Sequence, residues 1–159
     1  MNIRLTTPED WRLLKHVRLA ALLDTPTAFG VSYRAAAQYT DEQWKARASS
    51  TGTAFWLAFE GHTPVGMVGA GVAGVNRYTL IGMWVEPAAR GSGVAAQLVA
   101  AVKARAVAQG FEGVYLEVSP GNARAARFYL KQGFTFLDEW APLESHPSIA
   151  VQTMHWSRG

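Results

Sequence analysis

The stretch VEPAARGSGVAA, residues 85–96, places two glycines and a basic residue at the start of a predicted helix. Consecutive backbone N–H groups at a helix N-terminus bind phosphate oxygens when no side chain covers them, and Gly91 and Gly93 leave them uncovered. Arg90 adds positive charge beside these groups. The stretch therefore predicts a phosphate-binding loop. A tight turn after Pro87 is the alternative, because short glycine motifs are weakly specific.

Of two common nucleotide-binding patterns, the sequence of this loop excludes one and partly fits the other. The Walker pattern is excluded, because no Gly-Lys-Ser/Thr follows the glycines. The dinucleotide fingerprint G-x-G-x-x-A fits residues 91–96, and Glu117 ends the next predicted strand, where a ribose-binding acid is expected. However, residues 87–90 separate the glycines from the preceding strand, and no further strand and helix alternation follows. A dinucleotide-binding protein is the less favoured alternative.

Hydrophobic periodicity predicts the elements that position the loop. The predicted helices cover residues 8–23, 27–39, a short segment from 40 to about 49, 92–109 and 122–132. The predicted strands cover residues 2–6, 54–60, 65–73, 77–85, 114–119, 134–140 and 149–157. Antiparallel hairpins combined with a strand, helix, strand unit predict an α+β fold. We expect one mixed central sheet of about seven strands, flanked by helices, in a single domain over residues 1–159.

Two sequence blocks carry a resemblance to a known family. Residues 85–87, VEP, followed by residues 90–95, RGSGVA, resemble the acetyl-CoA signature of the GNAT family of N-acetyltransferases, Q/R-x-x-G-x-G/A before a helix. Residues 116–118, LEV, lead to Asn122 and Tyr129 in a pattern similar to the second family motif, N-x-x-A-x-x-x-Y, which a Gly-Phe pair closes. The resemblance is specific from about Leu80 to Phe134. Before Leu80, only the order of the predicted helices and strands resembles that of the family.

The resemblance implies a GNAT-like fold and transfer of an acetyl group from acetyl-CoA to a primary amine. It implies that the strand before the loop, at Met83, Trp84 and Val85, contacts the pantetheine arm. The loop and first helical turn would take the pyrophosphate, at Gly91, Ser92, Gly93, Val94, Ala95 and Ala96. Because the chain has no cysteine, a thiol acyl-enzyme is excluded and direct attack in a ternary complex is favoured.

Acyl transfer to an amine also needs a base and a proton for the departing thiolate. Tyr129 is the candidate donor, because its spacing places it on one helix face with Asn122, a candidate cofactor ligand. The alternatives are a core aromatic for Tyr129 and a helix N-cap for Asn122.

Glu117 is the candidate base, because strand alternation separates it from the apolar row of its strand. It also matches the base position of the related protein alpha-amino acetyltransferases. It is expected to face the cleft or a neighbouring helix, where partial burial would favour this role. The alternatives are a solvated or salt-bridged acid, a base at Glu86, and a water relay.

The acceptor stays open between a small-molecule amine and a protein N-terminal amine. Five aromatic side chains are candidates for its groove, with core packing as the favoured alternative: Phe29, Tyr33, Trp44, Trp84 and Trp140. A different class of function also remains, a non-catalytic sensor that binds acyl-CoA and signals through a partner.

Composition and charge limit the classes of partner that the sequence predicts. The chain has 159 residues, 49% of them hydrophobic, and a net charge of +3 without any run of Lys or Arg. No nucleic-acid partner is therefore predicted. We find no apolar run near the roughly 20 residues that span a membrane and no signal-peptide core, so a cytoplasmic location without a membrane partner is expected. We predict no metal site, and the oligomeric state is open, with a homodimer as one alternative.

Overall fold

A computed structural model describes residues 2–27 and 29–158, and these residues form a seven-stranded sheet with the order β1-β2-β3-β4-β5-β7-β6. The strands are β1 (Asn2–Leu5), β2 (Ala54–Glu60), β3 (Thr63–Ala73), β4 (Arg77–Val85), β5 (Gly113–Val118), β6 (Thr135–Leu143) and β7 (His146–Ser157). Every neighbouring pair is antiparallel except β4 and β5, which are parallel. The predicted mixed sheet of an α+β fold is confirmed.

The last two strands extend further than predicted. Strand β6 continues through Pro142, and β7 begins just before Pro147. Proline cannot donate to a sheet ladder, but it is tolerated on edge strands and at strand starts. Strand β6 is the edge of the sheet and Pro147 is the second residue of β7, so neither proline ends its strand.

The helices are α1 (Trp11–Asp24), α2 (Tyr33–Ala37), α3 (Asp41–Ala48), α4 (Val94–Ala108) and α5 (Ala123–Lys131). The predicted short helix from residue 40 corresponds to α3, which Thr40 caps through a reciprocal capping box with Gln43. The helix predicted over residues 27–39 was wrong outside α2. The Ser32 side chain accepts a hydrogen bond from the Ala35 N–H and so begins a new, short helix. Residue 28 of that prediction lies outside the described residues.

Helices cover both faces of the sheet. Helices α1, α2 and α3 contribute to one buried cluster, on what we call the α1 face, and α4 and α5 contribute to a second cluster on the α4 face. Strand β2 is buried from both sides: Phe55, Leu57 and Phe59 belong to the first cluster, whereas Trp56 and Ala58 belong to the second. This two-sided burial explains why β2 is an almost continuous apolar run.

Candidate active site

The sheet contains a gap between β4 and β5. In the described part of the chain, the register of these two strands consists of one pair, Thr79 with Tyr115. On its other side β5 pairs with β7 along its whole length, from Gly113 to Val118. Backbone groups of β4 and β5 beyond the single pair therefore face each other without a regular ladder, inside the sheet rather than at its edge. An extended ligand that offers amide groups can bind there.

A β-bulge in β4 lies at the opening of this gap. Strand β3 pairs Met67 with Trp84 and Gly69 with Ile81, so Gly82 and Met83 together oppose one residue. Gly82 has φ of +60°, a left-handed conformation that glycine adopts readily. A bulge bends its strand and increases its twist, which accounts for the departure of β4 from β5.

The bulge also exchanges the faces to which β4 side chains point. Before it, Tyr78 and Leu80 pack on the α4 face; after it, Trp84 packs on the α1 face and Val85 on the α4 face. Sequence reasoning missed this exchange. The signal was present, because an isolated glycine inside a strand pattern often indicates a bulge.

The predicted phosphate loop has the geometry of an anion cradle. Gly91 and Gly93 have φ of +84° and +86°, and a Cβ atom at either position would have no neighbour within 4 Å. Gly93 is the N-cap of α4 and has no side chain to bond the first-turn N–H groups, so those of Ala95 and Ala96 stay available. The Ser92 hydroxyl donates a hydrogen bond to the Ala89 carbonyl over 2.5 Å, and this bond stabilises the turn of the loop.

Arg90 joins the loop to the end of β4 and to α1. Its Nε donates to the Val85 carbonyl over 2.9 Å, and its Nη2 lies 2.6 Å from Asp24 Oδ2. The same carboxylate oxygen accepts from Trp84 Nε1 over 3.0 Å, and these hydrogen bonds lower the pKa of Asp24. Asp24 thus joins the end of α1 to β4 and to the loop. The guanidinium of Arg90 thereby fixes the position of the loop relative to α1 and β4.

The three candidate pantetheine residues border the gap with backbone rather than side-chain groups. Trp84 is buried in the α1-face cluster, and Val85 is buried in the α4-face cluster. Met83 is half-buried against the latter cluster. Their side chains therefore anchor β4 from both faces and hold its backbone beside the gap.

Helix α5 carries the second group of candidates. Asn122 is its N-cap, and its Oδ1 accepts from the Ala125 N–H over 3.3 Å, which leaves the side-chain NH₂ group for other partners. The Tyr129 ring packs edge-on against Phe128 and Phe134. Burial raises the pKa of Tyr129 far above its usual value, so the phenol stays protonated. The ring thus belongs to the core while its hydroxyl remains a donor.

Glu117 lies on the α1 face of β5 in a cavity of about 280 Å³, which Thr79, Trp140 and Thr153 also line. The side chain is exposed, so the expected partial burial is not found. Among the described residues Glu117 makes no salt bridge, whereas the neighbouring Glu139 pairs with Arg77 at 2.6 Å. Glu117 is therefore a carboxylate without a cationic partner beside the sheet gap. The alternative base, Glu86, precedes the turn Pro87–Ala89.

The five candidate groove aromatics divide between core and surface. Phe29, Trp44 and Trp84 are buried in the α1-face cluster, as the core alternative predicts. Tyr33 and Trp140 are exposed, and Trp140 lines the Glu117 cavity.

A larger cavity of about 490 Å³ lies on the same face, and Arg18, which sequence reasoning missed, is one of the residues that line it. An arginine on an amphipathic helix is normally expected on the solvent side, so the periodicity of α1 gave no signal for it.

Within residues 2–27 and 29–158, no group of three or more His, Asp or Glu side chains is placed to hold a metal ion. None of the described helices is long and apolar enough to span a membrane.

Comparisons with known proteins identify the fold and the family. Among solved structures, a ribosomal-protein-alanine N-acetyltransferase from Brucella melitensis superposes with a TM-score of 0.78 at 19% identity, covering 99% of both chains. The structure of yncA from Salmonella typhimurium with its cofactor acetyl-CoA gives a TM-score of 0.78 at 18% identity, covering 100% of this chain and 94% of that one. At these identities the likeness concerns the fold.

Sequence comparisons also identify similar proteins. The N-acetyltransferase 8B of Rattus norvegicus is 34% identical over 103 residues, which are 62% of this chain and 46% of the relative, so the chain spans less than half of that protein. Residues 19–134 match the family model described as the acetyltransferase (GNAT) family. The matched region contains the glycine loop, the sheet gap and α5. The chain belongs to the GNAT acetyltransferase family.

Proposed function

We propose that this protein transfers an acetyl group from acetyl-CoA to a primary amine by direct attack in a ternary complex. One observation carries the proposal: the exposed Glu117 carboxylate lies on the α1 face beside the β4–β5 pair, Tyr129 packs in the cluster on the α4 face, and the uncovered N–H groups of α4 follow the end of β4. A linear thioester in this gap meets a carboxylate on one side and a phenol on the other.

The residues present fit acetyl-CoA. The N–H groups from Gly91 to Ala96 would hold the pyrophosphate, because the open space around the two glycines lets phosphate oxygens reach the backbone. The backbone of Met83, Trp84 and Val85 would pair with pantetheine amides in place of the missing ladder. The free NH₂ group of Asn122 would add a hydrogen bond from α5.

Two side chains would then move the protons. Acetyl-CoA supplies a thioester whose carbon–sulfur bond breaks as a nitrogen–carbon bond forms. The Glu117 carboxylate accepts a proton from the attacking amine, directly or through one water, which its exposed position permits. The Tyr129 hydroxyl donates a proton to the departing thiolate and later regains one from solvent. Its raised pKa keeps the hydroxyl protonated at neutral pH, so it can donate a hydrogen bond to the sulfur before the proton moves.

A non-catalytic acyl-CoA sensor is the competing function, and a turnover assay separates the two. Purified protein with acetyl-CoA is tested against a panel of amines, and free CoA is measured with and without protein. The proposal expects amine-dependent CoA release and a product heavier by one acetyl group. Tight acetyl-CoA binding with no amine-dependent release would support the sensor instead.

A further inference from the structure

The cavity of about 490 Å³ lies on the α1 face between α1, α3 and the sheet. Its lining includes the apolar side chains Leu14, Val31, Phe55 and Ile81. Two arginines, Arg18 and Arg47, also line it, and no Asp or Glu is among its lining residues. The size is that of a small-molecule site, and the charge of its walls is positive.

Arg18 is the unusual member of this lining. Its Nη1 is buried and has no hydrogen-bond partner among the described residues. No carboxylate of those residues lies within 4.0 Å of the Arg18 guanidinium, so Arg18 forms no salt bridge with them. Its guanidinium carbon lies 5.5 Å from the centre of the Phe29 ring. Burial lowers the pKa of Arg18, and the nearby charge of Arg47 acts in the same direction. A buried cation without a counter-charge destabilises the fold, so its presence calls for an anionic ligand.

Two neighbouring groups add a donor and a positive charge to this cavity. Trp44 also lines the cavity, and its indole Nε1 is a second buried donor without a partner among the described residues. The Arg47 guanidinium stacks on the Tyr39 ring at 3.9 Å and donates to the Gln43 carbonyl over 3.3 Å, which holds its charge at the cavity wall without a carboxylate partner among the described residues. The cavity therefore offers donors and positive charge, and a ligand must supply acceptors.

The position of Arg18 connects the cavity with the proposed reaction site. Its Nη1 is only 2.5 Å from the place where a Cβ on Gly82 would lie, so the guanidinium packs directly on the bulge. Ile81 lines this cavity, and Thr79, two residues earlier on the same face of β4, lines the cavity of Glu117. The two cavities therefore follow each other along one face of β4, with Arg18 packed on the bulge at the opening of the sheet gap.

We propose that the acceptor amine also carries a carboxylate, as in an amino acid with an apolar side chain, and that Arg18 binds this carboxylate. The inference rests on the proposed function. The planar guanidinium matches a carboxylate with two parallel hydrogen bonds, and Arg47 adds a second charge at longer range. The apolar wall takes the side chain. Polyamines and other polycationic acceptors are disfavoured, because both arginines repel them.

A matched set of acceptors tests the carboxylate directly. L-Phenylalanine, L-phenylalaninamide and phenethylamine share the amine and the ring, and they differ in the group beside the amine. We expect kcat/KM for the amino acid to exceed that for the amide by about 10- to 100-fold, the range that a charge-assisted hydrogen bond supplies. Equal kcat/KM for the amide and the acid would overturn the inference and leave the acetyltransferase function intact.

Variants then assign the effect to Arg18. Arg18→Gln should reduce kcat/KM for the amino acid by a similar factor, mainly through KM, and should abolish its advantage over the amide. Arg18→Lys should recover part of the advantage, and the KM for acetyl-CoA should not change. Arg12→Gln is the matched control, because Arg12 is exposed on the same helix and does not line the cavity. An unchanged acid-to-amide ratio in Arg18→Gln would contradict the assignment.

Direct binding separates this inference from the proposed function. If no amine releases CoA, the function fails, and calorimetric titration of L-phenylalanine into the protein still tests the cavity. Binding that Arg18→Gln abolishes would support a carboxylate site, and absence of binding to the wild type would overturn it. If Arg18→Gln does not fold, Arg47→Gln gives the same readout from the cavity wall, with a smaller expected loss.

Discussion

Glu117 and Tyr129 lie on opposite faces of the central sheet: Glu117 lines the cavity beside the β4–β5 pair on the α1 face, and Tyr129 packs in the cluster on the α4 face. Alternation along β5 turns Leu116 and Val118 toward the cluster that contains Tyr129, and it turns Glu117 to the α1 face. The division suits the proposed reaction, because the amine and the leaving group lose and gain protons on opposite sides of the reacting carbon. Each side chain is therefore open to a separate test.

Tyr129→Phe should lower turnover by about 100-fold or more, the usual contribution of a positioned proton donor, and leave the affinity for acetyl-CoA nearly unchanged. Phenylalanine keeps the edge contacts with Phe128 and Phe134, so the melting temperature should not fall. Steady-state kinetics, acetyl-CoA titration and thermal unfolding check the three expectations. A variant with full turnover would remove Tyr129 from the mechanism, and a parallel loss of stability and affinity would indicate a packing role.

Glu117→Gln should lower the rate at neutral pH and recover activity as the pH approaches the pKa of the acceptor amine, because solvent then removes the proton. Stability should not change, since Glu117 is exposed and makes no salt bridge among the described residues. The measurement is the pH profile of kcat/KM for both proteins. Glu86→Gln is the control: a loss in that variant alone would transfer the role to Glu86, and no loss in either would favour a water relay.

Asp10→Asn should make the protein less stable at neutral pH by about 1–2 kcal/mol. Arg4 donates two hydrogen bonds to Asp10, of 2.6 and 2.8 Å, and the Thr7 N–H donates a third of 2.9 Å. The estimate stays modest because the Arg4 side chain is 43% exposed.

The same contacts predict a pH dependence of stability. The Arg4 hydrogen bond is the main cause that lowers the pKa of Asp10 in the folded state. A lowered carboxyl pKa stabilises the fold above the unfolded pKa of about 4, and this contribution is lost as the pH falls through the folded value. Urea unfolding at pH 7 and pH 3 should show the largest difference between wild type and Asp10→Asn at pH 7. A difference independent of pH would contradict the ion pair, and Glu60→Gln, at the exposed end of β2, is the control.

The sequence predicted best what depends on local pattern. Apolar runs bounded by glycine and asparagine turns predict β2, β3 and β4, because each strand needs a buried face and an exit turn. The loop at Gly91 and Gly93 was also predictable, since uncovered N–H groups at a helix start require residues without side chains. Helical spacing also predicted that one helix carries Asn122 and Tyr129, and both belong to α5, with Asn122 as its N-cap.

Features that depend on distant contacts were not predictable in this way. The bulge at Gly82 reverses the side-chain alternation of β4, so Trp84 packs on the face opposite to the one that a regular strand would give it. Arg90 is held by Asp24, which is distant in sequence, and no local pattern indicates that pair. Arg18 becomes a cavity residue only when α1 packs over the bulge.

Gly82→Ala tests whether the bulge and Arg18 act together. Alanine at φ of +60° is strained, which costs about 1–2 kcal/mol, and its Cβ would also overlap Arg18 Nη1, which must then move. Gly74→Ala is a matched control, because Gly74 has φ of +56° and no neighbour within 4 Å of its Cβ position. Both variants should lose a similar free energy of unfolding in urea, because both strain the backbone. Only Gly82→Ala should reduce kcat/KM for carboxylate-bearing acceptors and lower the ratio of kcat/KM for the amino acid to kcat/KM for its amide. If both variants retain that ratio, Arg18 does not act from its position on the bulge.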